Sequence, residues 1–123
     1  MQSRIPKNTN RYYWTEHVKF KMRFYGLSEQ KILGVISGPK RKEDGIVEKT
    51  IAVMKPISPK IIGGKEIWKQ EVWVMYQKKS KNKKIKIFEK NPLKIISAWR
   101  YPGVSPEHNP IPEEILRELS EIS

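Results

Sequence analysis

Hydrophobic residues recur every three or four positions in the first third of the chain, which is the spacing of an amphipathic helix. Four residues share the apolar stripe: Trp14, Val18, Met22 and Tyr25. Thr15 is a favourable N-cap, Glu16 lies near the positive helix end, and Gly26 suits the left-handed residue that follows a helix. The pattern therefore predicts a first helix that ends at Gly26.

A second, shorter helix is predicted directly after the first. Ser28 is again a suitable N-cap. Three apolar residues continue the helical spacing toward Ser37: Ile32, Leu33 and Ile36. Gly38 and Pro39 end this helix, because neither residue favours a helix interior. The charged residues 40–45 that follow are typical of a turn.

From residue 46 the hydrophobic period changes to two, as in strands. We predict strands over 46–55, 66–77, 85–88 and 93–100, a connecting loop over 56–64 and a lysine-rich hairpin tip over 78–84. In the strongest strand, one side carries Trp68, Val72, Val74 and Tyr76, and the other carries Ile67, Trp73 and Met75. Two short helices packed on an antiparallel sheet of about four strands, with a C-terminal helix, give an α+β fold.

The last part of the chain is rich in proline and then acidic. Pro112 is well placed in the first turn of a terminal helix that begins with Glu113 and Glu114. Its apolar face, which either docks on the domain or binds a partner, consists of Ile115, Leu116, Leu119 and Ile122. We therefore divide the chain into an N-terminal arm (1–13), an α+β domain (14–101) and a proline-rich segment with an acidic helix (102–123).

Net charge is the property of the composition that says most about the binding partner. Lys and Arg total 25 against 13 acidic residues, a formal net charge of +12. The excess lies in residues 1–100, because residues 101–123 contain one arginine and five glutamates. Such a charge favours a polyanionic partner, and nucleic acid is the commonest one. The alternative is that the charge serves solubility alone.

Several function classes are excluded. A chain of 123 residues forms one domain without room for a cofactor domain, so no cofactor is expected. The absence of cysteine excludes disulfides and thiolate metal sites, and His17 and His108 do not make a metal-ligand spacing. No apolar run spans a bilayer and the polar N-terminus is not a secretory signal, so we expect a cytoplasmic protein without a membrane partner.

His17, Lys21 and Phe24 share a second face of the first helix, which we predict to be accessible to a ligand. Imidazole moves a proton near neutral pH, and lysine and arginine stabilise phosphoryl charge. Our candidate catalytic residues are therefore His17, Lys21 and Arg100. The alternative is an exposed histidine on a basic helix.

Seven further residues are candidates for nucleic-acid binding: Arg23, Arg41, Lys81, Lys83, Lys84, Trp99 and Tyr101. The cations would contact phosphates, while Trp99 and Tyr101 at the end of the last strand would contact a base. In the structural alternatives, Trp99 lies in the core and the lysine tract is a solvated hairpin tip.

Eight residues of the first helix and its junction form one further pattern: His17, Val18, Lys21, Met22, Tyr25, Gly26, Leu27 and Ser28. The pattern resembles the opening His-Ala-x-x-Arg-Met-x-x-Arg-Gly-Ile-Ser of small domains grouped with the BrnT and RelE/ParE-like toxins. Pro39, the acidic pair 43–44 and the strand 95–99 are similar too, so the resemblance covers residues 14–101.

This resemblance implies a RelE-like microbial ribonuclease fold whose toxin members cleave RNA without metal and are silenced by an antitoxin. Lys21 and Tyr25 stand where the family has arginines, and neither replaces a bidentate guanidinium, which disfavours catalysis.

Our leading hypothesis is an RNA-binding domain of toxin-like ribonuclease fold. Its candidate chemistry is metal-independent cleavage, in which the substrate 2′-hydroxyl attacks the adjacent phosphate. Two alternatives stay open. One is a non-catalytic nucleic-acid-binding module, and the other is a protein-interaction domain whose basic face docks on an acidic partner.

Overall fold

The elements of the fold come from a computed structural model that describes residues 5–45, 49–78 and 93–122. In chain order they are β1 (Tyr12–Trp14), α1 (Glu16–Tyr25), α2 (Glu29–Ser37), β2 (Arg41–Asp44), β3 (Thr50–Pro56), β4 (Lys60–Ile62), β5 (Lys65–Ile67), β6 (Gln70–Lys78), β7 (Leu93–Pro102) and α3 (Glu113–Ile122). The described part of the chain is therefore α+β, as predicted.

Local capping fixes the first two helices where the sequence places them. The Thr15 hydroxyl accepts a hydrogen bond from the Val18 amide at 3.1 Å, and the Ser28 hydroxyl accepts one from the Lys31 amide at 3.1 Å. Gly26 adopts φ 67°, the left-handed conformation that a side chain disfavours. The predictions of α1, α2 and the terminal helix α3 are confirmed.

Five strands form one mixed sheet in the order β1-β7-β6-β3-β2. The β7, β6, β3 and β2 strands are antiparallel neighbours, whereas β1 runs parallel to β7 with Trp14 opposite Ile95. The β4 and β5 strands form a separate two-stranded sheet.

The main sheet separates two hydrophobic cores. The first core lies under α1 and α2: Trp14, Val18, Met22, Leu27, Ile32, Val35, Val53, Val72, Val74, Tyr76, Ile95 and Ala98. The second core lies under α3: Ala52, Met54, Trp73, Met75, Trp99, Ile115 and Leu119. Alternation along β6 was thus predicted correctly from Val72 to Tyr76, and α3 completes a core.

Several expectations about the strands are wrong. The predicted charged turn is β2, an edge strand that tolerates charge because one of its sides has no neighbouring strand in the described chain. The predicted loop 56–64 contains β4, and the predicted strand 66–77 is divided between β5 and β6. Trp68 packs in the second core together with Trp73, although the sequence placed these two rings on opposite sides.

The three-residue strand β1 was not predicted, and its parallel pairing makes the sheet mixed. The predicted strand 85–88 and most of the lysine-rich tip, including Lys81, Lys83 and Lys84, lie outside the described residues. No helix among the described residues has the length and apolarity needed to cross a bilayer.

Two glycines provide a matched test of the close approach between Gly45 and Thr50 of β3. A Cβ added to Gly45 would lie 2.0 Å from Thr50 Oγ1 and 2.8 Å from Thr50 Cβ, whereas one added to Gly34 in α2 meets nothing within 4 Å. We expect Gly45→Ala to lower the free energy of unfolding by roughly 1–3 kcal/mol. Gly34→Ala should raise it by roughly 0.5–1 kcal/mol, because alanine favours a helix.

Urea denaturation of both variants measures these changes as shifts in the midpoint of unfolding, provided that the dependence of the free energy on urea concentration stays constant. Destabilisation of similar size at both positions would contradict the close approach of Gly45 to Thr50.

Candidate functional site

Helix α1 lies along the part of β7 that β1 leaves uncovered. At its start, the Thr15 hydroxyl donates to the carbonyls of Ile95 (3.1 Å) and Ile96 (2.9 Å). At its end, Arg100 Nε donates to the Tyr25 carbonyl at 2.7 Å. The last carbonyls of a helix lack intrahelical donors and carry partial negative charge, so a guanidinium satisfies both needs. Hydrogen bonds at both ends therefore hold α1 on β7.

A bulge in β7 determines which face of the sheet carries Ser97. Met75 pairs with Ser97 and Tyr76 pairs with Ile95, which leaves Ile96 as the extra residue. Ser97 thus shares the register position of Met75, a residue of the second core. Ser97 is fully buried, and its Oγ lies 2.9 Å from Nε2 of His17 on α1.

The neighbouring residue on the same face of α1, Lys21, is fully buried as well. Its ammonium nitrogen lies 2.7 Å from Glu118 Oε1 and 3.4 Å from Glu114 Oε1, both on α3. It also lies 5.1 to 5.8 Å from the ring centroids of Phe24, Phe20 and Tyr25, whose electron-rich faces attract a cation. We call the group of His17, Lys21, Ser97, Glu114 and Glu118 the α1–α3 seam.

Burial and charge set opposite protonation states for the two basic groups of the seam. Burial lowers the pKa of His17 below its usual value; Lys21 adds to this effect, and Glu118 only partly opposes it. Burial also disfavours a charged Lys21, but the hydrogen bond and charge of Glu118, helped by Glu114, raise its pKa above the usual range. At neutral pH, Lys21 is therefore charged and His17 is mainly neutral.

A neutral imidazole beside a hydroxyl is able to accept a proton, and a nearby ammonium is able to stabilise an anion. Access limits this chemistry, because the His17 side chain is 8% exposed and Lys21 is wholly enclosed. The sequence predicted the face of His17, Lys21 and Phe24 to be accessible. The structure instead covers His17 and Lys21 with α3, whereas Phe24 stays exposed. The spacing of residues along the chain does not show which groups the acidic helix covers, because Glu114 and Glu118 are distant from Lys21 in the sequence.

The remaining predicted site residues do not meet at the seam. Arg100 is on the adjacent strand but binds the end of α1. Trp99 is fully buried in the second core, where its Nε1 donates to the Pro110 carbonyl at 3.1 Å, so its prediction as a base contact is wrong and the core alternative is confirmed. Tyr101 packs half-buried against the same core, and Arg23 is exposed.

Arg41 belongs to a second buried polar cluster, which the sequence did not reveal. At its centre the fully buried Glu71 accepts hydrogen bonds from Trp68 Nε1 (2.9 Å), Trp73 Nε1 (2.8 Å), the Ser105 hydroxyl (2.5 Å) and the Ser105 amide (3.2 Å). Burial would raise the pKa of Glu71, but these hydrogen bonds more than offset it and hold the pKa below its usual value. An acidic residue inside an apolar strand, with tryptophans on both sides, was the available signal.

Arg41 completes this cluster from β2. Its guanidinium donates to the Ser105 carbonyl and hydroxyl, both at 2.8 Å, to the Pro106 carbonyl at 3.0 Å and to Glu43. Arg41 and Glu71 together fix the segment that leads from β7 to α3. The guanidinium predicted to hold phosphate is therefore occupied by internal partners.

The outer side of α1 carries an aromatic pair, of which the sequence placed Phe24 on the accessible face but did not single out Phe20. Phe20 is 54% exposed and Phe24 is 61% exposed, and their rings stack with centroids 6.4 Å apart. A row of cations, Lys19 and Arg23, runs beside them at helical spacing. The signal was the four-residue separation of two phenylalanines outside the apolar stripe.

Among the described residues, no group of three histidine, aspartate or glutamate side chains is arranged to hold a metal ion. Comparison with known protein families, curated proteins and solved structures gives no match for this chain.

The seam predicts an unequal response to removal of its two charges. Glu118→Gln leaves the enclosed Lys21 ammonium without its nearest carboxylate, so we expect a loss of about 1–3 kcal/mol in the free energy of unfolding. Lys21→Met keeps the packed stem and leaves two glutamates that are partly exposed, although Oε1 of Glu118 is enclosed, so the loss should be smaller than that of Glu118→Gln.

Denaturation of both single variants and of the double variant gives the coupling between them. If Lys21→Met is the more damaging of the two single changes, the ammonium is not held chiefly by its carboxylate partners.

Proposed function

We propose that this domain binds single-stranded RNA through the exposed side of α1. The observation that carries the proposal is the exposed stacked pair Phe20 and Phe24 beside the exposed Arg23 and beside Lys19, which pairs with Glu16 on the helix surface. Proteins that bind single strands combine aromatic rings, on which bases stack, with cations that follow the backbone. Two exposed phenylalanines cost free energy in water, so a partner that covers them is favoured.

A small cavity beside the cations adds room for a phosphate. It has a volume of about 180 Å³, with Lys19, Arg23 and Ser28 on its polar side and an apolar remainder of Ile5, Pro6, Met22, Gly26 and Leu27. A cavity of this size is below the usual range for a small-molecule ligand, but a phosphate needs less room. The net charge of +12 supplies the long-range attraction for a polyanion.

The chemistry of the seam favours binding without cleavage. His17 contacts Ser97, Lys21 contacts Glu118, and Arg100 contacts the end of α1. None of these three groups lines the cavity beside Arg23, the groove beside Trp68 or the shallow cavity on α3. The lysine and tyrosine that stand in place of the family arginines point in the same direction.

The toxin-like fold remains part of this proposal. It is supported by the order of two capped helices followed by antiparallel strands, which is the order that the resemblance implies. Helix α3 and the segment before it fall outside the resemblance, and α3 covers Lys21, which stands where the family has an arginine.

Binding to single-stranded RNA should weaken about 100-fold between about 50 and 200 mM salt if roughly five phosphates are neutralised. Phe20→Ala and Phe24→Ala should each weaken binding by roughly 5-fold to 150-fold, the effect of losing one base stack. Fluorescence anisotropy with a labelled oligonucleotide measures both effects. Phe24→Leu should behave like Phe24→Ala, because leucine keeps the apolar surface but does not stack.

Tyr13→Ala is the matched control, since Tyr13 is an exposed aromatic residue on β1 rather than on α1. Affinity that is undetectable at low salt, or that falls as much in Tyr13→Ala as in the α1 variants, contradicts the proposed surface.

A second candidate function, metal-independent RNA cleavage, is favoured by one observation. His17 and Lys21 converge, because Glu118 Oε1 lies 4.0 Å from His17 Nε2 and 2.7 Å from Lys21 Nζ. Cleavage would require α3 to move aside. It is tested with the double variant Glu114→Gln, Glu118→Gln, after its cooperative melting has been verified.

On the leading proposal neither the wild-type protein nor this double variant cleaves RNA. On the second candidate, the double variant cleaves RNA in the presence of EDTA, and an added His17→Gln change lowers the rate by about 10²–10⁴. Cleavage that is unaffected by His17→Gln places the activity outside the seam.

A further inference from the structure

The β4–β5 hairpin presents two open strand edges. Its strands pair with each other in the register Lys60–Ile67, Ile61–Glu66 and Ile62–Lys65, and neither strand has a further neighbour among the described residues. Gly63 and Gly64, both with positive φ, make the tight turn. A two-stranded sheet is marginal in water, so an added third strand would stabilise it.

The two strands carry the same pattern on the same face. Alternation places Lys60 and Ile62 of β4 on one face together with Lys65 and Ile67 of β5, while Ile61 and Glu66 lie on the other face. Each strand therefore shows a lysine and an isoleucine two residues apart. Ile62 is 60% exposed and Ile67 is 46% exposed, so this aliphatic surface is largely uncovered.

This face lines a groove of about 470 Å³, which is within the range of ligand sites. Ile57 and Trp68 extend its apolar lining, and Lys60 and Lys69 contribute cations. Contacts of residues at and beside the hairpin hold the walls of the groove in place. Glu66 pairs with Lys40, whose ammonium lies 5.4 Å from the Trp68 ring centroid, and the Ile57 amide donates to the Gln70 carbonyl at 2.9 Å.

We propose that this hairpin binds an acidic segment of a partner protein as an added β-strand. An extended segment on either edge places every second side chain on the groove face. An acidic residue then lies beside Lys60 or Lys65, and an aliphatic residue two positions away lies beside Ile62 or Ile67. The partner segment therefore needs an acidic residue and an aliphatic residue with one residue between them, and either of the two can come first.

The aliphatic side chains distinguish this partner from the other polyanions that a basic protein attracts. An RNA backbone contacts lysines but makes no use of Ile62 and Ile67. A membrane-inserting hairpin would carry aliphatic residues on both sides of its tip, whereas here Ile62 precedes the Gly63–Gly64 turn but the charged Lys65 follows it, and Ile67 lies at the opposite end. The site uses different elements from the RNA surface on α1 and is independent of that proposal.

Two labelled peptides of identical composition test the proposal with the full chain. Glu-Thr-Val-Thr-Glu-Thr-Val-Thr-Glu places its acidic and aliphatic residues on one face of a strand, whereas Glu-Val-Thr-Thr-Glu-Val-Thr-Thr-Glu places them on opposite faces. We expect saturable binding of the first peptide and at least roughly tenfold weaker binding of the second, because only the first buries valine against isoleucine.

Three isoleucine variants locate the site. Ile62→Ser and Ile67→Ser should each weaken binding of the first peptide by roughly tenfold. Ile61→Ser is the matched control, because Ile61 is the same residue type, is 78% exposed and lies on the other face of the hairpin. Ile61→Ser should leave the affinity unchanged, and the three exposed positions should leave the melting temperature close to that of the wild type.

Four results would overturn the proposal. The first three are no saturable binding of the first peptide, equal binding of both peptides, and equal weakening of binding by Ile61→Ser and Ile67→Ser. The fourth is that RNA displaces the bound first peptide whereas the same peptide without its label does not. Two further measurements identify another occupant. Cosedimentation with phosphatidylserine vesicles that Ile62→Ser abolishes, without peptide binding, would assign the face to a membrane. Dimerisation that Ile62→Ser abolishes would assign it to a second copy of this chain.

Discussion

The buried ammonium of Lys21 links the two halves of this fold. It lies on α1, at the open edge of β7, and its carboxylate partners Glu114 and Glu118 lie on α3, which packs on the opposite face of the sheet from α2. A buried charge without its partner is costly, so α3 has one favourable position relative to α1. The covered state of His17 and the outward position of Phe20 and Phe24 both follow from that arrangement.

Glu71 fixes the segment that connects β7 to α3, as Lys21 fixes α3 itself. Its carboxylate holds Ser105 and receives two indole donors, while Arg41 holds the Ser105 and Pro106 carbonyls. A chain with few acidic residues before position 101 thus uses one of them, fully buried, to fix the segment that precedes α3. The acidic helix and this buried acid together neutralise cations that the sequence analysis had assigned to an external phosphate.

Two accessible regions of the described surface differ in their chemistry. On α1, aromatic rings lie beside Lys19 and Arg23, a combination suited to unpaired bases and phosphates. On the β4–β5 hairpin, isoleucines alternate with lysines, a combination suited to an extended acidic protein segment. Cations are common to both regions, and the type of apolar side chain, aromatic or aliphatic, distinguishes the partners that we propose for them.

The sequence by itself determined the features that depend on neighbouring residues. Thr15, Gly26 and Ser28 set the bounds of α1 and α2, because a cap bonds backbone groups within four residues. Alternation from Val72 to Tyr76 identified both faces of β6, and the acidic residues after Pro112 located the start of α3. The tertiary structure decided the features that depend on distant residues. It paired β1 in parallel with β7, buried Trp99 under Pro110, and enclosed Lys21 beneath two glutamates of α3. Helical spacing gives His17, Lys21 and Phe24 one common face, but whether water or another helix covers that face depends on packing between segments far apart in the chain.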